Sequence, residues 1–307
     1  MKHLIIPDIH HRIDVADWIF NRVEYDRAIL LGDYFDDFGD TPEIAAKTAV
    51  WLREHIDNKD FTFIVGNHDL PYMYPHNRGL YCSGFEKPKS AAILQELNIF
   101  DFREKTKLFH RVDNVMFSHA GISRTLLEYL VYKGYLGSIA STATELELQL
   151  TSLLPSLRNW NESGAMVHPL VDAGCDRGGK AEVGGVTWCD LSYFQPTPNI
   201  IQVFGHTPIF PTAVAIQLQS KKKDGSFNRA HPSYPEKESR NLKHLYQNGI
   251  GIDIDSHLCS FATWDSATGE FNVHRIKFVH DTYKHPIAPT SIESTTIVWS
   301  FNTKTQS

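Results

Sequence analysis

With 307 residues, 42 % of them hydrophobic and 21 % charged, the chain has room for a sizeable core and is too apolar to be a disordered polymer. Its 30 Lys+Arg against 36 Asp+Glu leave a formal charge of -6, so its bulk field does not gather nucleic acid or anionic membrane. Cys82, Cys175, Cys189 and Cys259 form no CxxC pair, which disfavours a disulfide framework or zinc ribbon. The apolar part of "MKHLIIPDIH" is shorter than a signal peptide's, and no run reaches membrane-spanning length. A cytoplasmic protein without membrane contact is therefore expected.

Short apolar runs recur along the chain, each ending in a cluster of Asp, Asn or His. The first, "KHLIIPDIH", reads as a buried strand and is followed by a helical pattern from Asp14 to Glu24, with Val15, Trp18, Ile19 and Val23 on one face. The second, "RAILLGDYF", leads into four aspartates within eight residues, Asp33, Asp36, Asp37 and Asp40. Repulsion and desolvation oppose such a cluster unless a positive partner sits there. A second helix opens with Thr41 as N-cap and Pro42 in its first turn, and continues through Ala49, Val50 and Leu52. Asp40, just before it, reads as a solvent-facing or helix-start residue.

Three more strands follow the same plan: "FTFIVGNHD", "NVMFSHAGI" and "NIIQVFGHT". The alternation of strands and helices implies an α/β fold with a largely parallel sheet, whose ligands bind at the carboxyl ends of the strands. All five polar clusters lie at that end, so the pattern predicts that they converge. Residues 123–185 read as a cap-like insertion, helical to about Trp160 with a break at Pro155, then a glycine-rich loop "GCDRGGKAEVGG". Residues 219–247 lack periodicity and read as a long loop; from Lys221 to Lys243 seven basic residues face three acidic ones. "IGIDIDSHLCSFATWD" and "EFNVHRIKF" read as paired antiparallel strands closing a domain over 1–279, with 280–307 a polar, peripheral tail.

The strand ends supply, in order, Asp8-Ile9-His10, Gly32-Asp33-Tyr34-Phe35-Asp36, Gly66-Asn67-His68-Asp69, Ser118-His119 and Gly205-His206-Thr207. Carboxylate, imidazole and amide oxygen in one cleft suit divalent ions such as Mn²⁺, Fe²⁺ or Zn²⁺. Each motif is weak alone, but five in fixed order after five strands form a strong joint signal. The series resembles the calcineurin-like metallophosphoesterases, and within them the phosphoprotein-phosphatase-like branch, whose last motif carries one histidine (GHT) instead of two.

The resemblance implies a two-layered, mixed β-sheet core flanked by helices and a dinuclear metal site. Carried over by motif, Asp8 and His10 bind one metal, Asp33 bridges, and Asn67, His119 and His206 complete the second. The pair, expected to be Mn²⁺ or else Fe or Zn, would activate a bridging water for in-line attack on phosphorus. His68 would protonate the leaving group, with Asp36 on its other ring nitrogen. Asp37 stands where many phosphoprotein phosphatases have an arginine that grips the phosphate. Arg177 is the first candidate to replace it, Arg78 a second and Arg12 a weaker third. The expected activity is hydrolysis of a phosphomonoester, on phosphoprotein or nucleotide. The alternatives are a phosphodiesterase or end-processing enzyme on nucleotides or nucleic acid, using the basic loop at 221–243, and a non-catalytic scaffold.

Overall fold

Strand β1 (Lys2–Ile6) is buried on both faces, which explains its unbroken apolar run. Leu4 and Ile6 point to a core shared with the helices, and Ile5 to a second core shared with the other sheet. These positions belong to a computed structural model that describes residues 1–164, 166–208, 215–218, 250–254, 258–279 and 288–300.

In chain order the elements are β1, α1 (Ile13–Phe20), β2 (Arg27–Leu30), α2 (Pro42–His55), β3 (Phe61–Phe63), α3 (Leu70–Met73), α4 (Lys87–Glu96) and α5 (Ile99–Lys105). Then come β4 (Phe109–Val112), β5 (Val115–Ser118), α6 (Arg124–Tyr132), α7 (Ala143–Thr151), α8 (Leu154–Ser163) and β6 (Ile201–Phe204). The chain continues with β7 (Ala215–Leu218), β8 (Ile250–Asp253), β9 (Ser260–Asp265), β10 (Glu270–Val279) and β11 (Ala288–Ser300). One sheet has six strands in the order β11-β10-β9-β1-β2-β3, and the other five in the order β4-β5-β6-β8-β7. Ile5, Ile29, Leu31 and Ile64 of the first meet Val115, Phe117, Ile201 and Val203 of the second in the inter-sheet core. The fold is thus the mixed, two-layered α/β arrangement flanked by helices.

Parallel pairing holds for β1-β2-β3 in one sheet and β5-β6-β8 in the other. The outer pairs are antiparallel, so the strand-helix alternation overstates the parallel content. The antiparallel pairing of β9 with β10 agrees with the sequence reading. Thr41 caps α2 as expected, its Oγ1 accepting the Ile44 N–H at 3.4 Å. Pro155 opens α8 after the end of α7, so it marks a helix start.

One expectation is corrected by the sheet. Part of the stretch read as a peripheral tail is β11, an edge strand paired along the whole of β10. "TSIESTTIVW" is polar by count but rich in β-branched Thr, Ile and Val, which a half-exposed edge strand accepts. The basic stretch 221–243 lies outside the described residues. No described helix is long and apolar enough to cross a membrane.

Candidate metal centre

The parallel strands of both sheets end at one rim, and there the backbone turns sharply. Among the described residues, eight non-glycine positions have positive φ, and five of them lie here: His10, His11, Asp33, Asp36 and His206. Such left-handed residues cost about 1 kcal/mol or more each and persist only where the surroundings over-determine them. The turns after β2 and β3 also touch. A Cβ on Gly66 would collide with the Asp33 carboxylate, and one on Gly32 with the backbone of Gly66, so both motifs need glycine. Asp69 clamps the two loops: its buried carboxylate accepts the N–H groups of Asp33 (2.9 Å), Tyr34 (2.9 Å) and Gly66 (2.8 Å).

This packing gathers the six residues singled out as ligands. Asp8, His10 and Asp33 form one group, and Asp33, His119 and His206 another, each with donor atoms within 4.8 Å of one another. Asp33 belongs to both through a single atom. Its Oδ2 lies 3.8 Å from His10 Nε2 and 3.3 Å from His119 Nε2, while its Oδ1 accepts the His68 N–H at 2.8 Å. Asn67 joins the second group, with Oδ1 2.9 Å from His119 Nε2. His206 Nδ1 is 3.2 Å from the same nitrogen.

The tautomers follow from the outer partners. His119 Nδ1 faces the Leu31 carbonyl at 2.9 Å and His10 Nδ1 the Asp36 carbonyl at 2.5 Å. Each therefore donates outward and turns the lone pair of Nε2 inward. Asn67 Oδ1, His119 Nε2 and Asp33 Oδ2 then crowd together as acceptors beside His206 Nδ1. A turned Asn67 amide, a proton or a cation can face them. The electrostatics agree. Burial lowers the His119 pKa, yet the charges of Asp33 and Asp8 outweigh it and carry it up to about 9. Burial and His119 hold His206 well below the usual value. A buried cluster that draws in a proton in this way fits a divalent cation, and the mixed oxygen and nitrogen donors suit a borderline metal.

Beside the ligands stands a second cluster. His68 Nδ1 lies 3.2 Å from Asp36 Oδ2, and the Cys82 thiol 3.5 Å from the same nitrogen. Burial lowers the His68 pKa, but Asp33 and the Asp36 hydrogen bond outweigh it and hold the ring well above its usual value. Three partners here, Cys82, Tyr72 and Lys89, were not read from the sequence. Tyr72 OH donates to Asp36 Oδ1 at 2.5 Å, and the buried ammonium of Lys89 to the same oxygen at 3.0 Å. Lys89 also binds both oxygens of Asp40, at 2.7 and 2.9 Å. Asp40 is therefore no solvent-facing residue. Its side chain is 6 % exposed and also meets His11 Nε2 at 2.9 Å. The one available signal was Lys89 itself, on the same helical face as Ile93 and buried with it.

Residues 1–210 match the calcineurin-like phosphoesterase family, about two thirds of the chain. The chain belongs to that family. As a calcineurin-like phosphoesterase it is a metal-dependent hydrolase. No curated protein matches the sequence. Among solved structures, it is similar to a point mutant of a cold-active protein tyrosine phosphatase, with 12 % identity over 89 % of this chain and 77 % of that one and a TM-score of 0.49. It is also similar to a Shewanella sp. cold-active protein-tyrosine phosphatase (13 % identity, 89 % and 77 % covered, TM-score 0.45). A metallophosphoesterase from Sphaerobacter thermophilus aligns at 14 % identity over 91 % and 89 % of the chains, with a TM-score of 0.43.

The phosphoesterase's cleft, about 300 Å³, opens over His10, Asp33, Asn67, His68 and His206. Arg177, on a 3-10 turn at Cys175–Arg177, lines it, but its guanidinium forms a two-point pair with Asp190 (Nε to Oδ2 3.1 Å, Nη2 to Oδ1 2.8 Å). Trp188 also lines it, edge-on to His206. Arg78 is not brought to the cleft. It sits exposed on the 3-10 turn Arg78–Leu80, which leads the chain away before Ser83 and Gly84 return to the rim. Arg12 points its Nη1 to Cys259 Sγ at 3.9 Å and does not line the cleft. Asp37 does line it, with Oδ1 accepting its neighbour's Phe38 N–H at 2.7 Å. His11 faces Thr48 and Asp40, outside the ligand groups. Asp255 lies outside the described residues.

Proposed function

We propose that this phosphoesterase is a dinuclear phosphomonoesterase of the phosphoprotein-phosphatase-like, single-histidine branch, acting on a phosphoprotein or nucleotide with Mn²⁺ as the preferred ion. The observation that carries the reading is the shared Asp33 Oδ2, within 4 Å of His10 Nε2 on one side and His119 Nε2 on the other. Asp8 and His10 would hold one ion, and Asn67, His119 and His206 the other, with Asp33 common to both. When bound, the ions supply a hydroxide at neutral pH and polarise the phosphoryl oxygens.

The protein's own residues do the rest. Displacement at phosphorus by hydroxide would break the P–O ester bond and leave its electron pair on the leaving oxygen, which would take the proton of His68 Nε2. Hydrogen phosphate and an alcohol would depart, and the next water would return a proton to His68, leaving hydroxide. Asp36, on Nδ1, keeps the ring aimed and offsets its positive charge. Arg177 reaches the phosphate by exchanging Asp190 for it.

A second reading, a phosphodiesterase or end-processing enzyme on nucleotides or nucleic acid, draws on Asp37 at the cleft and on the pairing of Arg177 with Asp190. Both leave less positive charge for a dianion, and residues 221–243 then contact the polyanion. Turnover of 4-nitrophenyl phosphate and bis(4-nitrophenyl) phosphate in Mn²⁺, side by side, separates the two. Preference for the monoester supports the first reading, and preference for the diester replaces it with the second.

A further inference from the structure

Lys89 is the most deeply buried lysine or arginine among the described residues, with 1 % of its side chain exposed, and the ligand set makes no use of it. Its ammonium meets three carboxylate oxygens: Asp40 Oδ1 at 2.7 Å, Asp40 Oδ2 at 2.9 Å and Asp36 Oδ1 at 3.0 Å. It is thus held between two carboxylates. Asp36 is held in turn. Its Oδ1 accepts from Lys89 and from Tyr72 OH, which leaves Oδ2 alone to face His68 Nδ1 at 3.2 Å. A carboxylate fixed on one oxygen by two donors presents the other in a single direction.

A purely structural ion pair is a poor explanation for this arrangement. Burying an ammonium costs several kcal/mol, and replacing such pairs with apolar packing is often neutral or stabilising. The feature that apolar packing cannot supply is a fixed Asp36. Without Lys89, Asp36 and Asp40 would stand as like charges in one dry pocket, and Asp36 would turn away or take up a proton. Resting on the phosphomonoesterase reading above, we infer that Lys89 is a positioning residue. By locking Asp36 Oδ1, it aims Oδ2 at His68 Nδ1 and so holds His68 Nε2 where the leaving oxygen takes its proton. Asp40 and His11 are the far anchor of the same chain, with His11 Nδ1 on Thr48 Oγ1 at 2.8 Å.

The test compares wild type, Lys89→Met and Lys89→Met/Asp40→Asn, all metal-loaded, on phenyl phosphate and 4-nitrophenyl phosphate. The double variant removes one positive and one negative charge, so it guards against a folding failure of the single one. 4-Nitrophenolate leaves without a proton and phenolate does not. Both variants should lose about 10²-fold in kcat on phenyl phosphate and less than about fivefold on 4-nitrophenyl phosphate, with KM and metal content unchanged. Equal loss on the two esters, no loss, or a wild-type ratio in the double variant overturns the assignment. A second readout needs no turnover. The hydrogen-bonded His68 Nδ1 proton, identified in the NMR spectrum by its loss in His68→Gln, should vanish in both variants. Its persistence overturns the inference. If wild type with metals bound hydrolyses neither ester, the phosphomonoesterase reading fails, and the NMR result still decides what Lys89 does.

Discussion

Two buried acidic clusters lie side by side at the strand ends, and each answers the repulsion of its carboxylates differently. Around Asp8 and Asp33, imidazoles, carboxylates and an amide gather in groups that could hold a metal ion drawn from solution. Around Asp36 and Asp40, the chain supplies its own cation, Lys89, on a helix packed against the site. An ion from solution can polarise a substrate. A lysine tethered by three hydrogen bonds cannot, but it fixes geometry under all conditions. The first cluster is built for chemistry and the second for aim.

Perturbing each cluster separately sharpens this contrast. The largest effect is expected for Asp33→Asn, which should cost about 10³-fold or more in kcat together with bound metal. Full metal content and full turnover in that variant would break the shared-ligand reading. His68→Asn should lower kcat by about 10²–10⁴-fold while elemental analysis finds the metals still in place. Stability should separate the clusters as well. A thousandfold excess of Mn²⁺ over its Kd stabilises the fold by about 4 kcal/mol, read as a higher Tm that chelator abolishes. The same gain should persist in Lys89→Met, because the Lys89 ammonium bonds Asp36 and Asp40 and none of the six ligand residues.

The smallest effect lies far from both. His3, stacked on Trp264 with neither ring nitrogen partnered, has its pKa lowered by burial from 6.5 to about 4. The unfolded chain therefore binds this proton first. The stability tied to a neutral His3 is complete above pH 6.5 and is lost as pH falls from there through about 4, about 3 kcal/mol in all. His3→Phe should flatten that part of the denaturation curve, and an unchanged slope between pH 7 and 4 would rule His3 out as its source.

The ligand cluster was open to sequence reading because each member follows a hydrophobic strand and the strands share a direction. Asp8, His10, Asp33, Asn67, His119 and His206 could be taken in chain order without knowing which strands pair. The second cluster was only half readable. Asp36 and His68 lie in those same motifs, but Lys89 and Tyr72 come from α4 and α3, where the local signal is at most a lysine on the Ile93 face of a helix. A lysine on a mixed helical surface reads as solvated until its packing is known. The same limit explains Asp40, whose partner is 49 residues away, and Arg78, a candidate downstream of the third motif that does not line the cleft. β11 was missed for a different reason: edge strands tolerate polar residues, so composition did not separate strand from tail.

The clamp made by Asp69 bears on how the molecule breathes. Loop amides usually exchange with solvent through small local openings. The amides of Asp33, Tyr34 and Gly66 all end on one fully buried carboxylate that joins the turns after β2 and β3. Opening any one of them leaves a fully buried carboxyl short of a donor. In deuterium exchange these three loop positions should therefore behave like central-strand amides, opening together and only with global unfolding. The turns that carry the chemistry are then among the last parts of the chain to loosen.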